Sequence, residues 1–530
     1  MALIFWLAGR QVDYPYAARV VQLETGVALL AAVSLAALLG GAGDHRAHRR
    51  LAGAWVLAAV LAAVAAVGQV LFAAQRGTAG FANPNHLAAF LVVSLPLAVA
   101  LGRDQGRVWG GSMASFRLLA GLILGVLLAG LLASGSRAGL LAAPACLGVL
   151  RRGSMGGGSA RRRRRLASLA VVVLLAFAAV FWWRFADGTD IYRYDRLKIW
   201  PQAMEMAREA PVLGIGPGQF HHQAGAHNFP RQEGAVRFGR VFRSPHSHLL
   251  LLLVETGGVG LMIICLAFFW MFRVASRVSP RPPFLAEGGS FPEAIRGAAG
   301  LGLVGLLIFS LVDEPMAHPP LRLGAALLLA LALPAGGQSR GRIFPLSRLA
   351  VLVVLATLFL GAGLMPVLAE QSALLAARCP HPVKRSRLLE RAAWCNPYQP
   401  FYPGDEAALL LSHAAHPLDI VSYARIRALA DGAVRLAPGE AGFRVTEARL
   451  ERRACLELFR DRTSCDRAVA QYRAAVDRAP KDPRIMREGA AFLSRLGRVG
   501  EAVAWLRRAV AVEPAYVGAW EDLVRRLEDE

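Results

Sequence analysis

The segment Phe242-Arg-Ser-Pro-His-Ser-His-Leu-Leu-Leu-Leu-Leu-Val-Glu-Thr-Gly257 sets a histidine against the start of a long apolar run, directly after a polar stretch that carries arginines. Ser244 is a favourable N-cap and Pro245 a favourable first helical residue, so the spacing predicts a membrane helix whose first turn holds His246 at the water boundary. In that position the helix dipole opposes protonation of the ring and leaves a neutral imidazole able to accept a proton. The unpaired N–H groups of the same turn suit a phosphate. A base and an anion cradle in one spot point to chemistry on an anionic, lipid-borne substrate; the alternative is that His246 is an interfacial polar residue and nothing more.

The stretch ahead of this helix is unusually cationic. Arg231, Arg237, Arg240 and Arg243 are opposed there only by Glu233, which calls for an anionic partner. Further upstream, Ile199, Ala203, Met206 and Ala207 recur at helical spacing up to Pro211, predicting a helix that lies along the membrane surface. Gly214-Ile-Gly-Pro-Gly218 then forces a tight turn; with no strand before it, it is not read as a nucleotide-binding loop. His221, His222 and His227 raise the question of a metal. No carboxylate or cysteine stands beside them at ligand spacing, so they are read as a polar, solvated loop and no metal or other cofactor is expected. His248 and Glu255, seven residues apart, share a helix face that His246 does not. Glu255 is expected to pair inside the bundle, with His248 as one partner.

These residues need elements to hold them, and the composition says which. The chain has 530 residues, 55% of them hydrophobic, and a mean hydropathy of +0.41. This excludes a soluble enzyme and predicts an all-α, polytopic helical bundle with about ten spans, near residues 18–42, 51–75, 86–102, 117–134, 137–150, 166–185, 247–272, 296–312, 321–336 and 347–368. Arginines at 46, 49, 50, 103, 107, 117, 151, 152, 161–165, 273, 277, 281, 340 and 342 fall in alternate loops, which the positive-inside rule makes cytoplasmic. The loops holding Asn83-Pro-Asn-His86, Ser136-Arg137, residues 186–246 and Asp313–His318 then face outward, as does everything after residue 368. The net charge of +23 does not imply nucleic acid: the Arg161–Arg165 run lies between apolar spans without interleaved aromatics, and serves topology and anionic lipid headgroups. No cleavable signal peptide is evident, and the first spans are expected to direct insertion.

Beyond residue 368 the composition turns to Ala, Leu, Arg and Glu at helical periodicity, predicting a soluble outer domain over 369–530 after a membrane domain over 1–368. Prolines at 397, 438, 480 and 514 end successive units, the last interval being the 34 residues of a tetratricopeptide repeat. Arg495-Leu-Gly-Arg-Val-Gly-Glu-Ala-Val-Ala-Trp-Leu-Arg-Arg-Ala-Val-Ala-Val-Glu-Pro514 resembles that repeat, with Gly497 in the turn and Ala502 packing. The expected architecture is an α-solenoid that docks a protein partner rather than doing chemistry. Cys455 and Cys465 bracket an insertion and are predicted to pair in an oxidising compartment, with Cys379–Cys395 as a weaker pair; Cys146 and Cys265, in spans, are expected to be inert.

Four segments resemble the O-antigen ligase and polymerase superfamily of membrane glycosyltransferases, whose bundle is GT-C-like. Phe81-Ala-Asn-Pro-Asn-His-Leu-Ala-Ala-Phe90 is similar to its early outer-face Asn motif, and Ser134-Gly-Ser-Arg-Ala-Gly139 to its Ser-Arg-Gly turn. Asp195-Arg-Leu-Lys-Ile-Trp200 with Ala210–Phe220 is similar to its large outer loop. Pro245-His-Ser-His-Leu-Leu with Glu255-Thr-Gly-Gly-Val-Gly260 is similar to its His-Asn-x-x-Leu…Glu-x-Gly segment, with Ser247 standing where the family has Asn. The resemblance implies transfer of a glycan from an undecaprenyl diphosphate carrier to lipid A core or a comparable acceptor, at the outer face of the bacterial inner membrane, without metal or nucleotide. Carried over by motif, Arg137 and Arg196 bind the pyrophosphate and His246 assists or orients the acceptor hydroxyl; Arg240, Arg243, Asn83, Asn85 and His248 are further candidate substrate contacts. Arginine suits the role, because its fork gives two charge-assisted bonds to phosphate oxygens. The other readings are a snorkelling helix-end arginine for Arg137 and an ion pair with Asp195 or Glu205 for Arg196. At the level of function, a repeat-unit polymerase, a protein O-oligosaccharyltransferase, a transporter and a non-catalytic assembly factor are the alternatives.

Overall fold

The computed structural model describes residues 45–73, 76–81, 83–108, 113–143, 195–230, 237–238, 241–242, 244–277, 291–317, 319–332 and 365–528. Among them there are helices and turns but no strand. The expected spans at 18–42 and 166–185, half of that at 137–150, most of that at 347–368, the Arg161–Arg165 run, Cys146, Arg240, Arg243 and His318 lie outside the described residues.

The membrane part comprises α1 (His45–Ala73), α2 (Pro84–Val108), α3 (Met113–Ser134), α4 (Asp195–Glu209), a short α5 (Phe220–Gln223), α6 (His248–Arg277), α7 (Phe291–Ser310) and α8 (Pro319–Ala332). Of these, α1, α2 and α6 contain stretches long and apolar enough to cross a bilayer, and α3, α7 and α8 contribute shorter apolar segments. The α1 sequence buries Ala52, Val56, Ala59, Ala63 and Ala66, a stripe at alternating four- and three-residue spacing that forms one helix face. Small residues on that face let backbones approach: a Cβ added at Gly130 of α3 would lie 2.5 Å from the Cβ of Ala63. In a bilayer such close packing drives association, since lipid is as apolar as leucine. On the polar side, Trp55 donates to the Ser94 hydroxyl at 2.9 Å.

The four loops predicted to share one side do meet at one end of this bundle. Gly77 N–H donates to Ala133 O at 3.0 Å, and the Arg76 guanidinium donates to Ser134 O and Gly135 O, tying the α1–α2 loop to the turn after α3. Asn85 bonds Asp313, and Ser244 bonds Glu314, bringing the start of α2 and the approach to α6 onto the α7–α8 loop.

From Met365 the chain forms consecutive helices α9 (Met365–Arg378), α10 (Pro382–Cys395), α11 (Phe401–His413), α12 (Ile420–Leu436), α13 (Ala441–Arg453), α14 (Arg462–Arg478), α15 (Pro483–Arg495), α16 (Val499–Val512) and α17 (Val517–Glu528), each packed on the next. Their cores are separate from that of the membrane helices. Gly497 takes φ +75° in the α15–α16 turn, and Ala502 is fully buried. Asp419, Asp461 and Asp482 cap the helices they precede. The insertion after α13 continues as a π-helical stretch, Ala454–Phe459, ending at Arg460 in the left-handed region. Cys455 and Cys465 are disulfide-bonded there, as their spacing predicts. Cys379 and Cys395 are free thiols. They sit at opposite ends of α10, a span of roughly 20 Å at 1.5 Å per residue, far beyond disulfide reach. Cys265 is exposed on α6 rather than packed in the core.

Candidate functional site

The approach to α6 departs from the sequence expectation. The helix begins at His248, not at Pro245, and it is Ser247 that caps it, accepting from Leu250 N–H at 3.4 Å. Ser244 is engaged elsewhere: its hydroxyl donates to Glu314 Oε1 at 2.6 Å and accepts from His246 N–H at 3.1 Å. His246 therefore lies before the helix, exposed and with φ +51°, and the dipole argument for its neutral ring does not apply. The conformation is uncommon for a residue with a side chain and is held from both sides. Trp200 of α4 donates to Pro245 O at 2.9 Å, and His248 N–H donates to Asp313 O at 3.1 Å.

Asp313 and Glu314, between α7 and α8, are the centre of this region. Both are buried. Asp313 accepts from the Asn85 carboxamide and from Glu314 N–H, and its Oδ2 lies 3.5 Å from Arg196 Nη2. Among the described residues Arg196 thus pairs with Asp313 rather than with Asp195 or Glu205, through a single contact at 3.5 Å. Glu314 accepts from the Ser244 hydroxyl, and the backbone of His246 and Ser247 lies close to it. Burial, reinforced by the Asp313 charge, nonetheless pushes its carboxyl up to about 7. The signal that could have found the pair was two adjacent acids in a short loop between apolar segments otherwise poor in charge.

Asn83 and Asn85 divide their work. Asn83 caps α2, its carboxamide oxygen accepting from Asn85 N–H at 2.9 Å and its carbonyl from His86 N–H at 3.0 Å. Asn85 reaches Asp313. Arg137 opens a short helix over residues 137–143, whose Gly139 packs on Ala88, one turn along α2 from Asn85. The structure therefore gathers Arg196, Asn85 and the His246 turn around Asp313 and Glu314, and sets Arg137 on the neighbouring turn at the same end of the bundle. His248 enters α6 with a buried ring whose Nδ1 meets no hydrogen-bond partner among the described residues.

Glu255 does not pair with His248. It accepts from Phe220 N–H at 3.1 Å and from the Gly218 amide. Helix α6 is broken at Gly257, φ +66°, and the Pro211–Gly216 turn fills the break: Ile215 N–H donates to Val254 O, Gly216 N–H to Glu255 O and Gly258 N–H to Pro211 O. Irregular backbone at membrane depth survives only where such partners satisfy it. Two glycines make the approach possible, since a Cβ at Gly214 would sit 2.3 Å from Glu255 C and one at Gly257 2.2 Å from Val212 O. The glycine-rich turn spends its Gly214 amide on Ala210 O and its Ile215 and Gly216 amides on α6, and is no phosphate cradle. The apolar face of α4 is likewise covered by protein: Ile199, Ala203, Met206 and Ala207 pack with Phe220, Phe229, Phe242 and Val254, instead of lying on lipid.

Residues 120–265 match the family model described as O-antigen ligase. This stretch is therefore similar to the O-antigen ligase/polymerase superfamily of membrane glycosyltransferases. The matched stretch contains Arg137, Arg196 and His246; Asn85, Asp313 and Glu314 lie outside it and reach the site through the fold. No curated protein matches the chain.

Proposed function

We propose that this protein transfers a glycan from an undecaprenyl diphosphate carrier to lipid A core or a comparable acceptor, at the periplasmic face of the inner membrane. The observation that carries the reading is the Arg196–Asp313–Asn85 group beside the Glu314-held His246 turn, at one end of an apolar bundle. Arg196 and Arg137, with Arg240 and Arg243 on the same outer loop, meet the pyrophosphate. Asp313 positions Arg196 with its donors turned to the substrate. The acceptor hydroxyl attacks the anomeric carbon, and its proton passes to the His246 ring. The sugar–phosphate bond breaks and the pyrophosphate leaves with the electron pair, its charge neutralised by the arginines in place of a metal. Glu314 is a positioning residue, fixing the His246 turn through Ser244. Asn83 supports Asn85, and His248 lines the inner edge.

The helices over residues 369–530 form, in this reading, a tetratricopeptide-like solenoid in the periplasm that docks a protein partner, with membrane lipids around the span domain and no nucleic acid. The disulfide in the insertion supports an oxidising compartment. The test is transfer from purified carrier-linked donor to acceptor in nanodiscs. Arg196→Lys and Arg137→Lys should lower kcat/KM by about 30- to 1000-fold, as for loss of ~2–4 kcal/mol of leaving-group stabilisation. His246→Ala should lower turnover by about 10²–10⁴-fold with donor affinity retained. Rates near wild type for all three would overturn the assignment. Impermeant labelling of single cysteines placed at Gly234 and Glu530 in intact spheroplasts reads the orientation; protection of both reverses it.

A further inference from the structure

The loop and the C-terminal helices meet at a cluster that the reaction does not use. His221 and His222, on α5, and Glu440, ahead of α13, bring one ligand atom each to within 4.8 Å of one another. His222 Nδ1 lies 3.1 Å from Glu440 Oε2, and the two imidazoles converge with centroids 5.1 Å apart. The His222 side chain is 6% exposed and that of Glu440 24%. We propose that His221, His222 and Glu440 bind a Zn²⁺ ion that staples the C-terminal helices to the outer loop. Two imidazoles and one carboxylate are a ligand set that zinc accepts, water completing the tetrahedron. At metal–ligand distances of about 2.0–2.1 Å the donors of such a site stand roughly 3.3 Å apart, so the His222–Glu440 spacing is already close and small ring rotations close the rest.

The support around the cluster is what a rigid site requires. Phe220, next to the first histidine, is buried, and its amide is fixed by Glu255. The second oxygen of Glu440 is turned toward Gly442, leaving the first facing His222. Flanking contacts hold the two surfaces together: Arg237 donates from its backbone and its guanidinium to the fully buried Glu513, and Lys481 Nζ donates to Asn228 O at 3.0 Å. The ligands come from segments 218 residues apart, so the ion closes a very long loop. This site is independent of the catalytic reading, and the ion has no part in glycan transfer.

The experiment uses full-length, untagged protein in nanodiscs, stripped with EDTA and dialysed metal-free. Zn²⁺ titration by calorimetry and metal analysis after gel filtration should give one ion per chain at micromolar affinity or tighter. Co²⁺ in its place should give the visible absorption of a tetrahedral nitrogen–oxygen site. Glu440→Gln, which keeps size and hydrogen bonding, and His222→Gln should each weaken Zn²⁺ by at least tenfold. In wild type, Zn²⁺ should slow hydrogen exchange in residues 220–230 and 438–445 together, and in Glu440→Gln it should not. Substoichiometric zinc in wild type, unchanged affinity in Glu440→Gln, or exchange at both segments insensitive to Zn²⁺ would each overturn the proposal and leave a hydrogen-bonded His222–Glu440 pair.

Discussion

Glu314 shows how one buried carboxyl can report on the site without a turnover assay. Its folded form keeps a proton up to about pH 7, whereas an unfolded glutamate loses it in the usual carboxylate range. Between those two values the native state binds more protons than the unfolded chain, so this group's stabilising contribution is complete below the unfolded value and is lost as pH rises through about 7. Thermal unfolding of nanodisc-embedded protein should therefore show wild type gaining stability, relative to Glu314→Gln, as pH is lowered from 7.5 to 5, by up to ~3 kcal/mol. A constant difference across that range would contradict the burial of this carboxyl. Asp313→Asn tests the neighbouring role. It keeps the contact to Asn85 while removing the charge that holds Arg196, and should raise KM for the pyrophosphate donor more than it lowers kcat; an unchanged KM would remove Asp313 from the positioning of Arg196.

At the level of elements, the segment over residues 195–230 and α6 form one unit because a broken helix needs foreign partners. The Pro211–Gly216 turn supplies them, and the glycines at 214 and 257 are required both by close backbone approach and by positive φ. Gly214→Ala or Gly257→Ala should destabilise the fold by ~1–3 kcal/mol or more and reduce transfer through misplacement of the loop. Gly225→Ala, whose added Cβ would meet only Arg478 O at 3.9 Å, should be tolerated, and unfolding temperatures of the three variants make the comparison. In the C-terminal helices, the bond between Cys455 and Cys465 closes a separation of 10 residues. Replacing both cysteines by serine should cost ~2–3 kcal/mol, read as a lowered unfolding temperature that wild type matches only under reducing conditions.

Across the whole molecule, the C-terminal helices contact His222, Asn228 and Arg237, and Glu513 is fully buried in that contact. Glu513→Ala leaves the Arg237 amide and guanidinium without their acceptor and should weaken the docking by ~1–3 kcal/mol, discounted because Arg237 is partly in water. Faster proteolysis of the 228–240 loop, with cleavage of the remaining helices unchanged, is the expected signature. Equal rates would show that the contact does not restrain the loop.

The sequence by itself determined what local chemistry encodes: the apolar runs, the alternation of arginine loops, the helical units ending at prolines, and the disulfide across the insertion. These depend on residues near one another in the chain, where periodicity and capping act. The Ser-Pro-His-Ser-His start of α6 was the local case that misled, because Ser244 and Ser247 are both good caps and only the distant Glu314 decides which is taken. Asp313, Glu314 and Glu440 were legible only as acids in loops. What they hold comes from partners dozens to hundreds of residues away: Arg196, Asn85, Ser244 and His222. Packing of small-residue helix faces brings those loops to one end of the bundle, and no spacing along the chain records that approach. The tertiary structure decided the site for that reason: a buried carboxylate must find donors, and which donors are within reach is a property of the folded molecule.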